Sequence, residues 1–210
     1  MRIEDYPRFT IIMRGYTFQQ AEAILNAIEG LETKFAVEIT LNTPDSLNQL
    51  TLLTKKYGNS IYIGAGTVRS IDDVKAAIQA GAKFLLGPHM FTQDMINFAK
   101  EHEVLSVPAA MTPSEIDEMF KRGADIVKVF PAIVLSPRFF RDVQAPLGKL
   151  PLMGVGGITV NNAKDFLSNG ASYLGLGSGM FDKEDLVRLD SKNLSKSMRK
   201  LISSVKGASV

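Results

Sequence analysis

The chain has 210 residues, of which 45% are hydrophobic and 22% are charged, a composition typical of one well-packed domain spanning residues 1–210. A formal net charge of +2 argues against a nucleic acid partner, and the absence of cysteine excludes disulfides, thiol nucleophiles and cysteine-bound metals. The charged first residues do not resemble a signal peptide, and no apolar stretch is long enough to cross a bilayer. We therefore expect a cytoplasmic protein with no membrane partner.

Short apolar runs alternate with amphipathic stretches along the whole chain. The apolar runs predict eight strands, at Phe9–Met13, Ala36–Leu41, Ser60–Ala65, Phe84–Gly87, Val104–Val107, Ile126–Phe130, Leu152–Val155 and Tyr173–Leu176. Helical patterns lie between them, at Phe18–Ile28, Ser46–Tyr57, Ile71–Ala80, Thr92–His102, Pro113–Arg122 and Asn161–Asn169. The segment Ser191–Lys206 has a basic face, as membrane-surface helices do, but its apolar stripe favours a last helix packed on the core.

Residues typical of helix ends flank these patterns. Thr112-Pro113-Ser114-Glu115 predicts a capping box with proline at the first helical position, and Thr17-Phe18-Gln19-Gln20 predicts a weaker one. Glycine follows five of the helical patterns, at Gly30, Gly58, Gly81, Gly123 and Gly170.

Eight strands that each precede a helix predict a single-domain (β/α)8 barrel, the TIM-barrel fold of the α/β class. A doubly wound open sheet is the alternative. Eight repeated units with continuously apolar strands favour the closed barrel. The chain is short for this fold, so its loops must also be short.

Lys128 lies inside the apolar strand Ile126–Phe130. Burial of an amine disfavours its charged form, so we expect the pKa of Lys128 to be lowered and its amine to be nucleophilic. A neutral amine beside a carbonyl substrate forms a Schiff base, the central step of one class of aldolases. The alternative is a lysine whose aliphatic stem is buried while its amine reaches solvent.

Glu38 is a second charged residue within an apolar strand, Ala36–Leu41. Burial raises the pKa of a carboxyl group and a nearby cation lowers it, so Glu38 near Lys128 could be tuned for proton transfer. The alternative is a structural ion pair that spans the barrel interior. Such pairs are often costly, so they explain the two residues less well.

Other polar residues follow the strands at the end where barrel enzymes have their active sites. Arg14 follows the first predicted strand, Thr67 the third, and Pro88 with His89 the fourth. The only other histidine, His102, ends a helical pattern, and no carboxylates cluster with either one. We therefore expect neither a metal nor another cofactor.

Glycine-rich turns follow the last two predicted strands. Gly156-Gly157 follows the seventh strand and Gly177-Ser178-Gly179 follows the eighth. Barrels often bind phosphate there, because backbone N–H groups converge on the anion. Together the two turns predict a phosphate site, although each alone would also serve as a plain turn.

The chain resembles the 2-keto-3-deoxy-6-phosphogluconate / 4-hydroxy-2-oxoglutarate aldolase family over nearly its whole length. The motifs that carry the resemblance are, in chain order, Ile11-Ile12-Met13-Arg14-Gly15, Val37-Glu38-Ile39-Thr40-Leu41, Ile63-Gly64-Ala65-Gly66-Thr67-Val68, Met111-Thr112-Pro113-Ser114-Glu115, Lys128-Val129-Phe130-Pro131 and Gly156-Gly157-Ile158. The resemblance implies a homotrimeric barrel and a metal-independent class I mechanism. It also implies cleavage of a 2-keto-3-deoxy-6-phospho sugar acid to pyruvate and glyceraldehyde 3-phosphate, with 4-hydroxy-2-oxoglutarate as a second possible substrate.

The resemblance also implies roles for individual residues. Lys128 would form the imine, and Glu38 would be the general acid and base, acting through a water. The expected substrate-contact residues are Arg14, Asn42, Thr67, Pro88, Phe130 and Val155. The expected phosphate ligands are Gly156, Gly157, Gly177 and Ser178.

Three positions depart from the phosphogluconate aldolase pattern. Asn42 stands where an arginine is common, Val155 replaces a threonine and Ala109 replaces a glycine. Arg14, Asn42 and Val155 instead resemble the 2-keto-3-deoxy-6-phosphogalactonate branch, in which Arg14 would contact the substrate carboxylate. Val155 would remove a hydroxyl near C4, where the two sugar acids differ.

Two other functions use the same features. A sugar-phosphate isomerase or epimerase would need Glu38 and the phosphate turns but no amine. A non-catalytic barrel that binds phosphorylated metabolites would need neither Glu38 nor Lys128, and the presence of both residues favours the aldolase.

Overall fold

Strands and helices alternate in the computed structural model, which describes residues 3–177 and 179–208. The strands are β1 (Phe9–Met13), β2 (Phe35–Thr40), β3 (Ile63–Gly66), β4 (Phe84–Leu86), β5 (Leu105–Val107), β6 (Ala109–Ala110), β7 (Val127–Val129), β8 (Leu152–Val155) and β9 (Tyr173–Leu176). The helices are α1 (Phe18–Ala27), α2 (Ser46–Tyr57), α3 (Ile71–Gln79), α4 (Gln93–Glu101), α5 (Pro113–Lys121), α6 (Ala132–Leu135), α7 (Arg138–Leu147), α8 (Ala163–Ser168), α9 (Lys183–Val187) and α10 (Ser191–Ser204). A 3-10 helix at Ile3–Asp5 precedes β1.

The strands form one parallel sheet with the order β5-β4-β3-β2-β1-β9-β8-β7-β6. Its two end strands, β5 and β6, are consecutive pieces of chain with only Pro108 between them. Because β5 pairs with β4 and β6 pairs with β7, the sheet closes on itself through Pro108. The predicted (β/α)8 barrel is confirmed, and the alternative of a doubly wound open sheet is wrong.

The fifth strand differs from its prediction. We expected one strand at Val104–Val107, whereas the structure has β5 followed by β6, and its described residues therefore form nine strands instead of eight. Pro108 has no amide hydrogen to donate, so it interrupts the strand. The ladder continues around it, because the Pro108 carbonyl accepts from the Lys128 amide at 2.8 Å and the Ala109 amide donates to the His89 carbonyl at 3.0 Å.

Other elements differ from their predictions in their bounds. Strand β3 begins at Ile63 instead of Ser60, because the Ser60 amide closes a turn after α2 by donating to the Tyr57 carbonyl at 3.0 Å. Helices α6, α7 and α9 had no predicted bounds. In α7, Pro146 lies within the helix, where proline ordinarily signals a break.

The helix caps follow the sequence signals. Both predicted capping boxes form, at Thr112 and at Thr17, and a third forms at Ser70 with Asp73. Four of the five predicted helix-ending glycines have positive φ angles, namely Gly30, Gly81, Gly123 and Gly170. Gly58 instead keeps a helical conformation, and its amide donates to the Thr54 carbonyl.

The core has two layers that follow the alternation of side chains along each strand. Val37 and Ile39 of β2 belong to the layer between the sheet and the helices, which is the larger cluster of buried side chains. Ala36 belongs to a second cluster, which fills the barrel interior together with residues such as Ile12 and Met153. Glu38 lies two residues after Ala36, so its side chain also points into the barrel.

The amino-terminal segment packs into the barrel at the end opposite the predicted active site. Tyr6 is buried, and its hydroxyl forms a hydrogen bond of 2.8 Å with the buried hydroxyl of Thr10. The Tyr6 ring makes edge contacts with Phe84 and Tyr173, with ring centroids 5.1 and 5.5 Å apart. These contacts fill the barrel interior at that end with packed side chains.

Helix α10 packs on the core, as we predicted. Leu194, Met198 and Leu201 are buried, and the Ser191 hydroxyl donates to the Ala23 carbonyl of α1 at 3.1 Å. Within residues 3–177 and 179–208, no helix is both long enough and apolar enough to cross a membrane.

Candidate active site

Lys128 lies in the middle of β7 with its side chain inside the barrel, and only 7% of the residue is exposed. Its Nζ lies 4.9 Å from the centre of the Phe130 ring. Burial, reinforced by the positive charge of Arg14, lowers the pKa of Lys128 to about 8, although the carboxylate of Glu38 opposes the shift. Burial of the residue as a whole favours the interpretation of Lys128 as a nucleophile with a lowered pKa over that of an amine extended into solvent.

Glu38 lies in β2 and is 2% exposed. Burial raises the pKa of Glu38 to about 7, even though Lys128 and Arg14 both favour the charged carboxylate. Its buried Oε2 atom has no hydrogen-bond partner among the described residues. A carboxyl group with a pKa near neutrality can both accept and donate a proton, as general acid and base chemistry requires.

Lys128 and Glu38 influence each other electrostatically in the barrel interior. Each appears among the charges that shift the pKa of the other. Within the part of the chain that the structure describes, no ion pair joins them. The geometry therefore does not fit the alternative of a structural ion pair, and it leaves both groups available to a ligand.

Gly66, at the end of β3, provides the space for the Glu38 carboxylate. A Cβ atom at Gly66 would overlap Oε1 of Glu38 and would lie 2.8 Å from Oε2. Only glycine at this position allows the carboxylate to occupy its observed place without a shift. The sequence analysis identified the motif that contains Gly66, but it did not predict that this glycine makes room for the carboxylate of Glu38.

Arg14, Asn42 and Thr67 meet at the carboxyl ends of the first three strands. The Arg14 Nη1 atom donates to Oδ1 of Asn42 and to Oγ1 of Thr67, both at 3.4 Å. Thr67 has a φ angle of +58°, which is rare for a β-branched residue and is found where surrounding structure enforces it, often at functional sites. The structure thus brings together three of the predicted substrate-contact residues.

A cavity of about 350 Å³ opens between Phe130, Val155 and the glycine turns. Its wall contains six of the predicted site residues, namely Arg14, Phe130, Val155, Gly156, Gly157 and Gly177. It also contains Tyr16 and Thr159, which the sequence analysis did not identify. Arg14 therefore lines this cavity and is also close enough to Glu38 and Lys128 to affect the pKa of both groups. Ser178, the remaining predicted phosphate ligand, lies outside the described residues.

The turn after β8 can be made only by glycines. Gly156 and Gly157 have φ angles of +94° and +77°, which side chains rarely allow. A Cβ atom at Gly157 would lie 2.5 Å from Cβ of Ile133, and one at Gly156 would lie 3.1 Å from Cα of Pro131. The backbone of this turn thus packs closely against the segment that follows Lys128.

Pro88 does not line the cavity that contains Arg14 and Val155. It lines a second cavity of about 320 Å³, together with His89, Ala109 and Phe130. Phe130 lines both cavities, so the two cavities lie next to each other at this residue. The exposed His89 forms a hydrogen bond of 2.8 Å between its Nδ1 and the carbonyl of Met90.

No group of three or more potential metal-ligating His, Asp or Glu side chains occurs in residues 3–177 and 179–208. A parallel barrel with a lysine and a carboxyl group buried in its interior, and a glycine-lined cavity at the carboxyl ends of its strands, fits the class of α/β-barrel aldolases. The chain belongs to the KDPG and KHG aldolase family, whose model matches residues 3–197.

Known relatives agree with this assignment. The chain is 32% identical to "Probable 2-dehydro-3-deoxy-6-phosphogalactonate aldolase" of Rhizobium meliloti (strain 1021), over 81% of this chain and 80% of that protein. It is 33% identical to "2-dehydro-3-deoxy-phosphogluconate aldolase" of Pseudomonas aeruginosa, over 80% of this chain and 76% of that protein. A solved structure described as "Native KDPGal structure" has a TM-score of 0.86 at 25% identity and covers 98% of this chain and 100% of its own.

Proposed function

We propose that this protein is a metal-independent class I aldolase that cleaves a 2-keto-3-deoxy-6-phospho sugar acid to pyruvate and glyceraldehyde 3-phosphate. The observation that carries the proposal is the burial of the Lys128 amine, which lowers its pKa from 10.5 to about 8. A shift of this size raises the neutral fraction of the amine at pH 7 by about 300-fold. Membership of an aldolase family supports the same chemistry.

The reaction begins at the 2-keto carbon of the substrate. The lone pair of the Lys128 Nζ attacks this carbon, and proton transfer to the oxygen gives a carbinolamine. Loss of the hydroxyl as water then leaves a protonated imine between Lys128 and C2. The positive nitrogen withdraws electrons from C3, which provides the electron sink that cleavage requires.

Glu38 moves the protons of the following steps, directly or through a water. It accepts the proton of the C4 hydroxyl, C4 becomes an aldehyde carbon, and the electrons of the C3–C4 bond form an enamine with C2 and the nitrogen. The released product is glyceraldehyde 3-phosphate. Glu38 then returns a proton to C3, and water hydrolyses the imine to pyruvate and free Lys128.

The remaining residues orient the substrate along the open end of the barrel. Arg14, held by Asn42 and Thr67, contacts the substrate carboxylate, and Thr67 also contacts the pyruvate portion. Phe130 and Pro88 contact the substrate near the reacting lysine. The backbone amides of Gly156, Gly157 and Gly177, together with Ser178, bind the terminal phosphate.

The preferred substrate is the phosphogalactonate type. Val155 supplies a methyl group where a threonine would offer a hydroxyl near C4, and Asn42 stands in place of an arginine. The buried Val155 lies beside Gly175, where an added Cβ atom would come within 2.9 Å of the valine Cγ2. This close packing favours a fixed apolar wall at the carbon that distinguishes the two sugar acids.

The whole chain, residues 1–210, forms one catalytic domain, and three copies assemble into a homotrimer in the cytoplasm. This assembly follows from the family resemblance. Sedimentation of the purified protein at several concentrations tests it directly, and a monomer at all concentrations contradicts it.

The function is tested by measuring pyruvate release from three substrates at matched concentration. These are the phosphogluconate and phosphogalactonate forms of the sugar acid and 4-hydroxy-2-oxoglutarate, and the Lys128→Met variant is the control. We expect the highest kcat/KM with the phosphogalactonate form and no release by the variant. No release from any of the three substrates contradicts the proposed function. A preference for the phosphogluconate form contradicts only the proposal that Val155 and Asn42 select the phosphogalactonate form.

A further inference from the structure

Tyr16 lines the glycine-walled cavity between the predicted phosphate turns and Arg14. The residue is only partly exposed, and its ring packs against the core layer between sheet and helices. Its hydroxyl forms no hydrogen bond with any described residue. A phenol with a packed ring and an unpaired hydroxyl in a cavity wall has a polar group available for a ligand.

The backbone on both sides of Tyr16 is fixed by hydrogen bonds. The amide of Gly15 donates to Oγ1 of Thr43 at 2.9 Å, and the Thr43 hydroxyl is itself bonded to buried Thr40 at 2.9 Å. On the other side, Thr17 forms the capping box that begins α1. The Tyr16 side chain is therefore anchored at its base, and a ligand need not order this segment.

The surroundings of Tyr16 suit an anion. Arg14 lines the same cavity and provides a positive charge, and Gly156 and Gly157 line it with backbone. Burial raises the pKa of Tyr16, so its hydroxyl stays protonated over the working range of pH and can donate a hydrogen bond. No carboxylate lines the cavity within the described residues.

We infer that Tyr16 is a phosphate-binding residue, whose hydroxyl donates a hydrogen bond to the terminal phosphate of the substrate. The inference rests on the proposed function for the identity of the substrate, but phosphate binding itself can be measured separately. It assigns to the loop after β1 a part in selecting phosphorylated substrates, in addition to the turns after β8 and β9.

The Tyr16→Phe variant isolates the hydroxyl, because phenylalanine keeps the ring and its packing. A hydrogen bond to a charged group contributes about 1.5–3 kcal/mol, so we expect KM for the phosphorylated substrate to rise roughly 10- to 150-fold. We expect kcat with this substrate and KM for 4-hydroxy-2-oxoglutarate to stay unchanged. The matched control is Tyr57→Phe, which removes a hydroxyl that bonds Asn26 on the outer helical layer.

Calorimetric binding of inorganic phosphate to the wild-type and variant proteins completes the test. We expect the Tyr16→Phe variant to bind phosphate more weakly by a similar factor, and the Tyr57→Phe variant to bind like wild type. Equal phosphate affinity in wild type and Tyr16→Phe overturns the inference, as does an equal rise of KM for both substrates. If phosphate binding depends on Tyr16 but no substrate is cleaved, the proposed function fails and the inference stands.

Discussion

Replacing Glu38 with glutamine should make the protein more stable at neutral pH while it becomes a poorer catalyst. Burial raises the pKa of Glu38 from 4.5 to about 7, so the folded protein binds this proton more tightly than the unfolded chain does. The stability contributed by the protonated group is fully present below pH 4.5 and is lost as the pH rises through about 7. Glutamine has nearly the same shape and does not titrate, so it removes this pH dependence.

The size of the effect follows from the pKa shift. The shift spans about 2.5 pH units, and each unit corresponds to about 1.4 kcal/mol, so the pH-dependent loss is on the order of 3 kcal/mol. Between pH 4 and pH 7, the free energy of unfolding of the wild-type protein should therefore fall by roughly 3 kcal/mol relative to that of Glu38→Gln. Loss of the general acid and base should also lower kcat by about 10²- to 10⁴-fold.

The assay is denaturant unfolding of both proteins at pH 4 and pH 7, with pyruvate release measured on the same samples. Burial of the glutamine amide changes the free energy of unfolding by the same amount at both pH values, so this change cancels when the two pH values are compared. If the difference in unfolding free energy is the same at both pH values, Glu38 is not held with a raised pKa. If kcat is also unchanged, Glu38 takes no part in the proton transfers.

Three further substitutions test the space and charge around the site. Gly66→Ala should cost about 1–3 kcal/mol of stability and lower kcat, because its Cβ displaces the carboxylate of Glu38. The stability cost should largely disappear when Glu38 is also replaced by alanine. A cost that persists in that double variant contradicts the steric explanation. Gly157→Ala should lose stability through its φ angle of +77° and its overlap with Ile133, and a wild-type melting temperature refutes this. Ser178→Asp should weaken binding of the phosphorylated sugar acid but not of 4-hydroxy-2-oxoglutarate, and equal losses with both substrates remove Ser178 from the phosphate site.

Much of the fold could be predicted because local signals agreed with the barrel. Strands β8 and β9 and helix α2 begin and end where the sequence predicts, and the capping boxes at Thr17 and Thr112 form. The split of the fifth strand was missed because its apolar run ends at Pro108, where a proline ordinarily ends a strand instead of interrupting it. Helix α7 received no predicted bounds, and Pro146 lies within it.

The candidate site could be predicted in part. Lys128 and Glu38 were recognisable because each is a charged residue within an apolar strand, and the structure confirms that both are buried. The roles of Gly66 and Tyr16 were not recognisable, because both depend on what another strand or turn places next to them. Pro88 and Arg14 line different cavities, which likewise depends on how the loops after the strands pack, and no spacing along the chain reveals that packing.

The most direct test of the mechanism is borohydride trapping of pyruvate on the intact protein, followed by mass spectrometry of its peptides. We predict one pyruvate adduct per chain, on Lys128, forming faster as the pH rises through about 8 because the neutral amine is the nucleophile. The Lys128→Met variant should remain folded and gain no adduct. An isomerase or a binding protein built on the same barrel would give no adduct at all, and an adduct on another lysine, or on the Met variant, would contradict the account.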